Sequence, residues 1–220
     1  MMDASDLAAT LRDDHETAFS RLGSSKAMYA ITNGEMDGAV VRAAAAINAD
    51  AVSVATDEWT TYDTSNNDIH LDEIDNTDPD AVFAAIASGA SERAVTLDPD
   101  ASQTESVNRP HLYDVLASME TTPSRLGGLL ARSLVTIEQV SQMIGFFVGN
   151  ADPKTAGEFR DLKDMIESDH DRVITALDST CESAAAWEHA QNSADAVIEA
   201  AYDDYVDSLN QMGIKPKNVC

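Results

Sequence analysis

Apolar and small side chains recur every three or four residues through the first part of the chain, which is the spacing of an amphipathic helix. This stripe begins at Leu7, passes through His15 and reaches Tyr29. The pair Asn33–Gly34 then interrupts it, and such a pair is typical of a turn. The pattern therefore predicts one long helix before Asn33, with His15 on its apolar side.

Further helical patterns follow, separated by polar or proline-containing segments. The predicted helices cover 35–62, 80–95, 111–121, 124–147, 154–181 and 193–212, with a polar loop over 63–80. Thr32 and Glu35 have the spacing of a capping box at the start of the second helix. We see no strand pattern longer than a few residues, so the predicted fold class is all-α.

The lengths of these segments also predict how they are arranged. Long helices joined by short turns favour antiparallel neighbours in an up-and-down bundle. The 220 residues suffice for one large domain. We expect a single helical domain over 1–212 and a C-terminal tail over 213–220.

The charge of the chain limits its partners and indicates its solution environment. Asp and Glu number 39 against 14 Lys and Arg, which gives a net charge of -25. Self-repulsion of this size destabilises a compact state at ordinary ionic strength. At molar salt the Debye length falls to about 3 Å, which screens most of that repulsion. The composition therefore predicts a cytoplasmic protein of a salt-accumulating halophile. Direct binding to nucleic acid is disfavoured, because phosphate contacts come mainly from Lys and Arg.

The termini and cysteines agree with a cytoplasmic location. We find neither a basic-then-apolar leader nor a stretch close to the ~20 apolar residues that cross a membrane, so we expect no membrane association. Cys181 and Cys220 form no CxxC motif. Lys215 and Lys217 in the tail indicate either docking onto an acidic surface or a frayed terminus. A homo-oligomer, in the simplest case a dimer, and an unidentified protein partner are both compatible with such a tail.

One helical motif has the residue types of a metal site. Glu167 and His170 form an ExxH, and residues three apart project from one face of a helix. Di-iron and di-manganese sites in bundles combine such motifs with glutamates from the other helices. Glu138 lies near the inward side of the preceding predicted helix. These three residues predict part of an iron or manganese site, and the alternative is a buried, hydrogen-bonded histidine beside solvated acids.

The segments 20–36, 144–162 and 199–220 resemble the rubrerythrin-like branch of the ferritin-like superfamily, in particular a group of halophile proteins of similar length. The resemblance implies an antiparallel ferritin-like four-helix bundle with additional helices. In rubrerythrins this bundle binds two irons, which react with peroxide or oxygen. The resemblance also implies Glu35 as a metal ligand, although an acid at a helix start also serves as a cap.

The chain departs from the rubrerythrin pattern in the first half of the site. The resemblance places another ExxH around 90–93, but its leading Glu and its His are both missing, and Arg93 puts a cation where a metal would lie. Rubredoxin-type cysteine pairs are also missing. A metal set of Glu35, Glu138, Glu167 and His170 would therefore be partial.

Three hypotheses about function remain open at this point. The first is a metal protein that handles iron or oxidative stress. The second is a non-catalytic scaffold without the metal site, which requires His170 to be hydrogen-bonded to protein and Arg93 to be paired with an acid. The third is a regulator that acts through a protein partner, since some proteins of this kind carry a transcription-antitermination label. No catalytic triad, glycine-rich phosphate loop or zinc cysteine set is visible, so the sequence assigns no reaction.

Overall fold

The computed structural model describes residues 3–62, 64, 74–98, 107–216 and 218. Every regular element in these ranges is an α-helix, which confirms the predicted all-α class. In chain order the helices are α1 (Ala4–Asp14), α2 (Glu16–Leu22), α3 (Ser25–Ile31), α4 (Gly38–Asp57), α5 (Pro79–Leu97), α6 (Leu112–Ala117), α7 (Thr122–Gly149), α8 (Pro153–Thr180) and α9 (Ala184–Gln211).

The starts of the helices follow from local sequence. Backbone N–H groups in the first turn of a helix have no acceptor within the helix. Short polar side chains at the N-cap positions accept hydrogen bonds from these groups. Prolines occupy the first turns of α5, α7 and α8, where no intrahelical donor is lost. The capping residues are Asp3, Asp37, Asp78, Thr121, Asp152 and Ser183.

Helix α7 lies between α8 and α9 and packs extensively against both. Phe147 contacts Phe159 beside the turn between α7 and α8, with ring centroids 4.9 Å apart. Ser133 meets His170 farther from that turn, so the two helices run antiparallel. Buried apolar side chains from α1 to α9 join one main core, and a second cluster surrounds the Phe147–Phe159 contact.

Helices α4 and α5 form a second close pair. Ser53 donates to the carbonyl oxygen of Ala87, and Thr60 donates to that of Asp80, so this pair is also antiparallel. Many of their buried residues are alanines, whose small side chains let the two helices approach closely. Helix α5 also packs against α8, which brings the two helix pairs together.

The N-terminal region is three short helices, and the prediction of one long helix there was wrong. His15 has non-helical backbone angles between α1 and α2, and Ser24 is extended between α2 and α3. The apolar spacing continues across the breaks because each short helix buries a face of its own, such as Leu7 and Leu11 in α1. These breaks let the segment bend around α7, α8 and α9, all of which it contacts.

The predicted capping box of Thr32 and Glu35 was also wrong. Thr32 Oγ1 donates to the carbonyl oxygen of Met28, at 2.7 Å, within its own preceding turn. Helix α4 begins at Gly38, and the Asp37 side chain accepts from the Ala39 N–H at 2.8 Å. The left-handed backbone of Asn33 and Gly34 ends the earlier helix and leaves Glu35 exposed in a turn.

Other predicted boundaries differ by smaller amounts. Helix α9 begins at Ala184 instead of near 193, because Ser183 caps it. The helix predicted over 111–121 is only Leu112–Ala117. Most of the loop predicted over 63–80 lies outside the described residues, as do Lys217 and Cys220.

Helix α4 bears on the expectation that no stretch is apolar enough for a membrane. Within the described part of the chain, α4 passes that test by length and composition, and 61% of its apolar window is buried inside the protein. Burial of this kind is what a core helix of a folded domain also shows. The composition of α4 therefore does not decide where the protein resides.

A charged centre between the helices as the candidate functional site

The four predicted metal ligands lie on different parts of the structure. Glu35 is exposed in the turn before α4, Glu138 lies on α7, and Glu167 and His170 lie on α8. Among the described residues, no group of three or more His, Cys, Asp and Glu side chains is arranged to hold a metal ion. The contacts of each predicted ligand show what the side chain does in this structure.

His170 is hydrogen-bonded to the neighbouring helix. Its Nδ1 lies 2.9 Å from Ser133 Oγ on α7. The Ser133 hydroxyl donates its one proton to the carbonyl oxygen of Leu130, at 2.7 Å. Ser133 Oγ must therefore accept from His170, which places the imidazole proton on Nδ1.

The charge state of His170 follows from its surroundings. Burial lowers its pKa below the ordinary value, since a charged imidazolium loses solvation there. The negative charges of Asp171 and Glu167 oppose this shift, and Arg12 adds to it. His170 is therefore neutral at neutral pH, and it serves as a hydrogen-bonding core residue.

The two nearby glutamates have basic partners. Glu138 Oε1 accepts from Arg12 Nη1 at 3.0 Å, in a half-buried pair between α7 and α1. Glu167 Oε1 lies 3.5 Å from Lys163 Nζ, one turn earlier on α8, and 48% of the Glu167 side chain is exposed. Both carboxylates are therefore engaged with basic side chains in this structure. Metal binding by Glu35, Glu138, Glu167 and His170 stays a prediction.

The centre of the molecule holds a buried ion pair that the sequence did not reveal in full. Arg93 Nη2 on α5 donates to Asp169 Oδ2 on α8 at 2.6 Å. Their side chains are only 7% and 8% exposed. Asp169 precedes His170, so the acid of the ExxH segment that turns inward is Asp169, and Glu167 faces solvent. Both contacts that the scaffold hypothesis requires, at His170 and at Arg93, are therefore present.

A second arginine is buried close to this pair. Arg132 on α7 is 3% exposed, and its Nε lies 3.4 Å from the hydroxyl oxygen of Tyr113. Arg93 and Arg132 both line a small cavity of about 10 Å³ between α4, α5, α7 and α8. Asn48 and Gln139 line this cavity too, and they also line a larger one of about 290 Å³ beside α9. The interior therefore contains a basic centre next to a cavity.

The larger cavity carries an acidic side chain. Asp204 on α9 lines it and accepts from the His111 N–H at 2.6 Å. Burial raises the pKa of Asp204, and the neighbouring Asp207 raises it further, against the hydrogen bond from His111. Carboxylates therefore line the larger cavity together with the guanidinium group of Arg109, whereas the smaller cavity is lined by Arg93 and Arg132.

The two remaining residues with candidate chemistry have structural surroundings. His15 Nε2 lies 2.9 Å from Asp195 on α9, which ties the junction of α1 and α2 to the main bundle. Cys181 is buried at the end of α8, and burial together with the charge of Asp178 raises the pKa of its thiol to about 11. A thiol that keeps its proton at neutral pH is a poor nucleophile.

Sequence reasoning missed Asp169 and Arg132 for different reasons. Asp169 is one of 39 acids, most of which resemble one another in sequence. Arg132 carried a usable signal, because it stands at the helical spacing of Leu129, Thr136 and Val140, all of which are buried. A permanently charged residue on the buried face of a helix needs a partner, so its position in the sequence indicates a charged site in the interior.

Comparisons with known proteins found no family model, no curated protein and no solved structure that matches the chain.

Proposed function

We propose that this chain is a ferritin-like helical protein that acts as a non-catalytic interaction scaffold. In this proposal α4, α5, α7 and α8 are the antiparallel four-helix core, and the remaining helices are additions around it. The antiparallel α4–α5 and α7–α8 pairs and their contact through α5 and α8 support such a core.

The observation that carries the proposal is the buried pair of Arg93 and Asp169. It joins α5 to α8 across the middle of the proposed core, where a ferritin-like metal site would need inward carboxylates. A guanidinium group remains protonated at all ordinary pH values, so Arg93 cannot be converted into a ligand. A divalent cation beside Arg93 would be repelled and would also compete with Arg93 for the carboxylate of Asp169.

The surface supports a role in protein interaction more than one in nucleic-acid binding. A net charge of -25 suits a partner with a basic surface, because complementary charge accelerates encounter and selects partners. In the tail, the Lys26 ammonium donates to the carbonyl oxygen of Lys215, which places this residue against α3. A protein partner with a basic surface is the partner class that the charge favours, and a second copy of the chain is the alternative.

Metal titration of the purified protein tests the proposal. Isothermal titration of metal-free protein with anaerobic Fe(II), and separately with Mn(II), is carried out in molar KCl. We expect no saturable binding at a fixed stoichiometry. His170→Ala is the control, because it removes the one imidazole of the predicted set. Saturable binding of one or two metal ions that disappears in His170→Ala would contradict the scaffold proposal.

A further inference from the structure

Arg132 is a buried cation for which the described residues supply no anion. Its side chain projects from α7, and only 3% of the residue is exposed. The hydrogen bond found for its guanidinium group goes from Nε to the neutral hydroxyl of Tyr113, and its 3.4 Å length is at the long limit for such a bond. No carboxylate in the described part of the chain forms an ion pair with it. Since arginine does not release its proton, the charge persists in the interior.

The nearest buried acid is already engaged. Asp169 accepts from Arg93 through Oδ2 at 2.6 Å, and its Oδ1 lies 3.8 Å from Arg172. Arg93 and Asp169 cancel each other, so the charge of Arg132 is left over in this part of the interior. A buried charge without a counter-charge is strongly unfavourable, whereas a paired one is tolerated.

The cavity beside Arg132 has the size of a very small ligand. Its volume of about 10 Å³ corresponds to about one water-sized sphere. Its polar lining is formed by Arg93, Arg132, Asn48, Gln139 and Thr136, and apolar side chains such as Met143 complete the wall. The Thr136 hydroxyl already donates to the carbonyl oxygen of Arg132, at 2.8 Å. A water molecule would fill the volume but leave the positive charge uncompensated. A small anion would fill the volume and also compensate the charge.

We propose that the cavity beside Arg132 binds one monovalent anion of halide size. The guanidinium groups supply the charge, and the amide of Gln139 supplies a further N–H donor. Asn48 Nδ2 is committed to the carbonyl oxygen of Ala44, at 2.9 Å, and serves as part of the wall. Chloride is the probe of this class, since it is only slightly larger than water and, as a spherical ion, accepts hydrogen bonds from any direction.

The adjoining cavity of about 290 Å³ provides the route of entry. Asn48 and Gln139 line both spaces, so an ion that passes these side chains reaches Arg132. Asp204, Asp207 and Arg109 all line the larger cavity, so its charges are mixed. The size of the smaller cavity, about one water-sized sphere, is what selects for a small ion. The existence of the site does not depend on the scaffold proposal, because it rests on the burial of Arg132 and on the cavity beside it.

Anion exchange at constant potassium concentration tests this site. The thermal unfolding temperature is measured while chloride replaces glutamate as the anion, for the wild type, Arg132→Met and Arg160→Met. Arg160 is exposed on α8, and its variant controls for the loss of one arginine. The general effect of exchanging the salt is common to all three proteins, so the readout is the difference in unfolding temperature between the wild type and each variant.

We expect the difference between the wild type and Arg132→Met to grow with the chloride concentration, and to follow its logarithm once the site is occupied, because an anion that binds only the folded state stabilises it in this way. The difference between the wild type and Arg160→Met should stay constant. A difference for Arg132→Met that is independent of chloride would overturn the proposal.

Diffraction from wild-type crystals grown in KBr decides the matter even if Arg132→Met does not fold. We expect an anomalous bromide peak within hydrogen-bond distance of the Arg132 guanidinium group. A wild-type structure with water and no anomalous peak at that position would also overturn the proposal.

Discussion

Single residues show how this interior combines apolar packing with permanent charge. Arg93 and Asp169 both lie on inward faces, and their 2.6 Å contact is buried on all sides. The desolvation cost of two such charges is offset by their attraction only while both are present. The pair thus contributes little net stability, but it strongly disfavours any arrangement that separates α5 from α8.

A double-mutant cycle on Arg93 and Asp169 tests this description. Arg93→Met or Asp169→Leu alone should lower the free energy of unfolding by about 3–5 kcal/mol. The first variant leaves Asp169 with only its longer contact to Arg172, and the second leaves Arg93 without its carboxylate partner in the interior. The double variant should recover most of that loss. Urea unfolding in molar KCl measures all four proteins.

The exposed pair of Arg109 and Asp114 provides the matched control, with side chains 45% and 61% exposed. Arg109→Met should change the free energy of unfolding by about 1 kcal/mol or less. If the double variant of the buried pair lost as much as the two single variants added together, the coupling between Arg93 and Asp169 would be disproved.

The sequence identified half of this pair. Arg93 stood out because it replaces a position where the family resemblance expects an uncharged metal ligand. Asp169 did not stand out, because the chain has 39 acids and residue type alone does not distinguish an inward acid from the many exposed ones. The rotation of α8 that turns Asp169 inward and Glu167 outward depends on how α8 packs against α5 and α7, and one helix's periodicity does not fix that rotation to within a residue.

At the scale of elements, the crossing of α7 and α9 depends on one glycine. A Cβ atom on Gly127 would lie 2.1 Å from the carbonyl oxygen of Ala190, which is backbone and cannot rotate away. The two helices therefore approach each other more closely at this point than a side chain permits. This contact brings the beginnings of α7 and α9 together and fixes how far apart the two helices lie.

Gly127→Ala should therefore destabilise the protein by about 3 kcal/mol or more, since α7 and α9 must separate to admit the methyl group. The control is Gly145→Ala on the exposed face of α7, where a Cβ meets nothing within 4 Å. That change should stabilise the protein by about 1 kcal/mol, because alanine favours the helix. Chemical unfolding of both variants is the measurement, and equal stabilities would refute the close crossing.

The sequence predicted the existence of most helices better than their ends. Apolar periodicity predicted α8, since burial of one face imposes that spacing, and alanine-rich apolar segments between polar loops predicted α4 and α5. The periodicity continued through His15 and Ser24, where it masked two breaks in the backbone. The start of α9 depends on the cap at Ser183, and the apolar pattern that predicted a start near 193 does not reveal that cap.

At the scale of the whole molecule, charge determines the conditions under which the fold is stable. The net charge of -25 is spread over the surface, and few of the acids are buried. The Debye length falls from about 10 Å at 0.1 M salt to about 3 Å at 1 M, so repulsion among exposed acids declines steeply over that range.

The unfolding temperature should rise as KCl increases from about 0.1 M to about 1 M, because screening relieves this repulsion. A variant with Asp13, Asp161 and Asp203 changed to Asn should show a weaker rise, since all three acids are exposed. Circular dichroism during heating measures both proteins. An unfolding temperature that falls with KCl, or an equally steep rise in the variant, would contradict surface repulsion as the cause.

We propose that Arg93, Arg132 and Asp169 form a charged centre in the middle of this helical protein and that this centre holds no metal ion. Elemental analysis tests this on protein purified natively from cells grown with abundant iron and manganese, with molar KCl present throughout. We expect iron and manganese contents far below one ion per chain, in the wild type and in His170→Ala alike. A stoichiometric metal content in the wild type that is lost in His170→Ala would contradict the proposal.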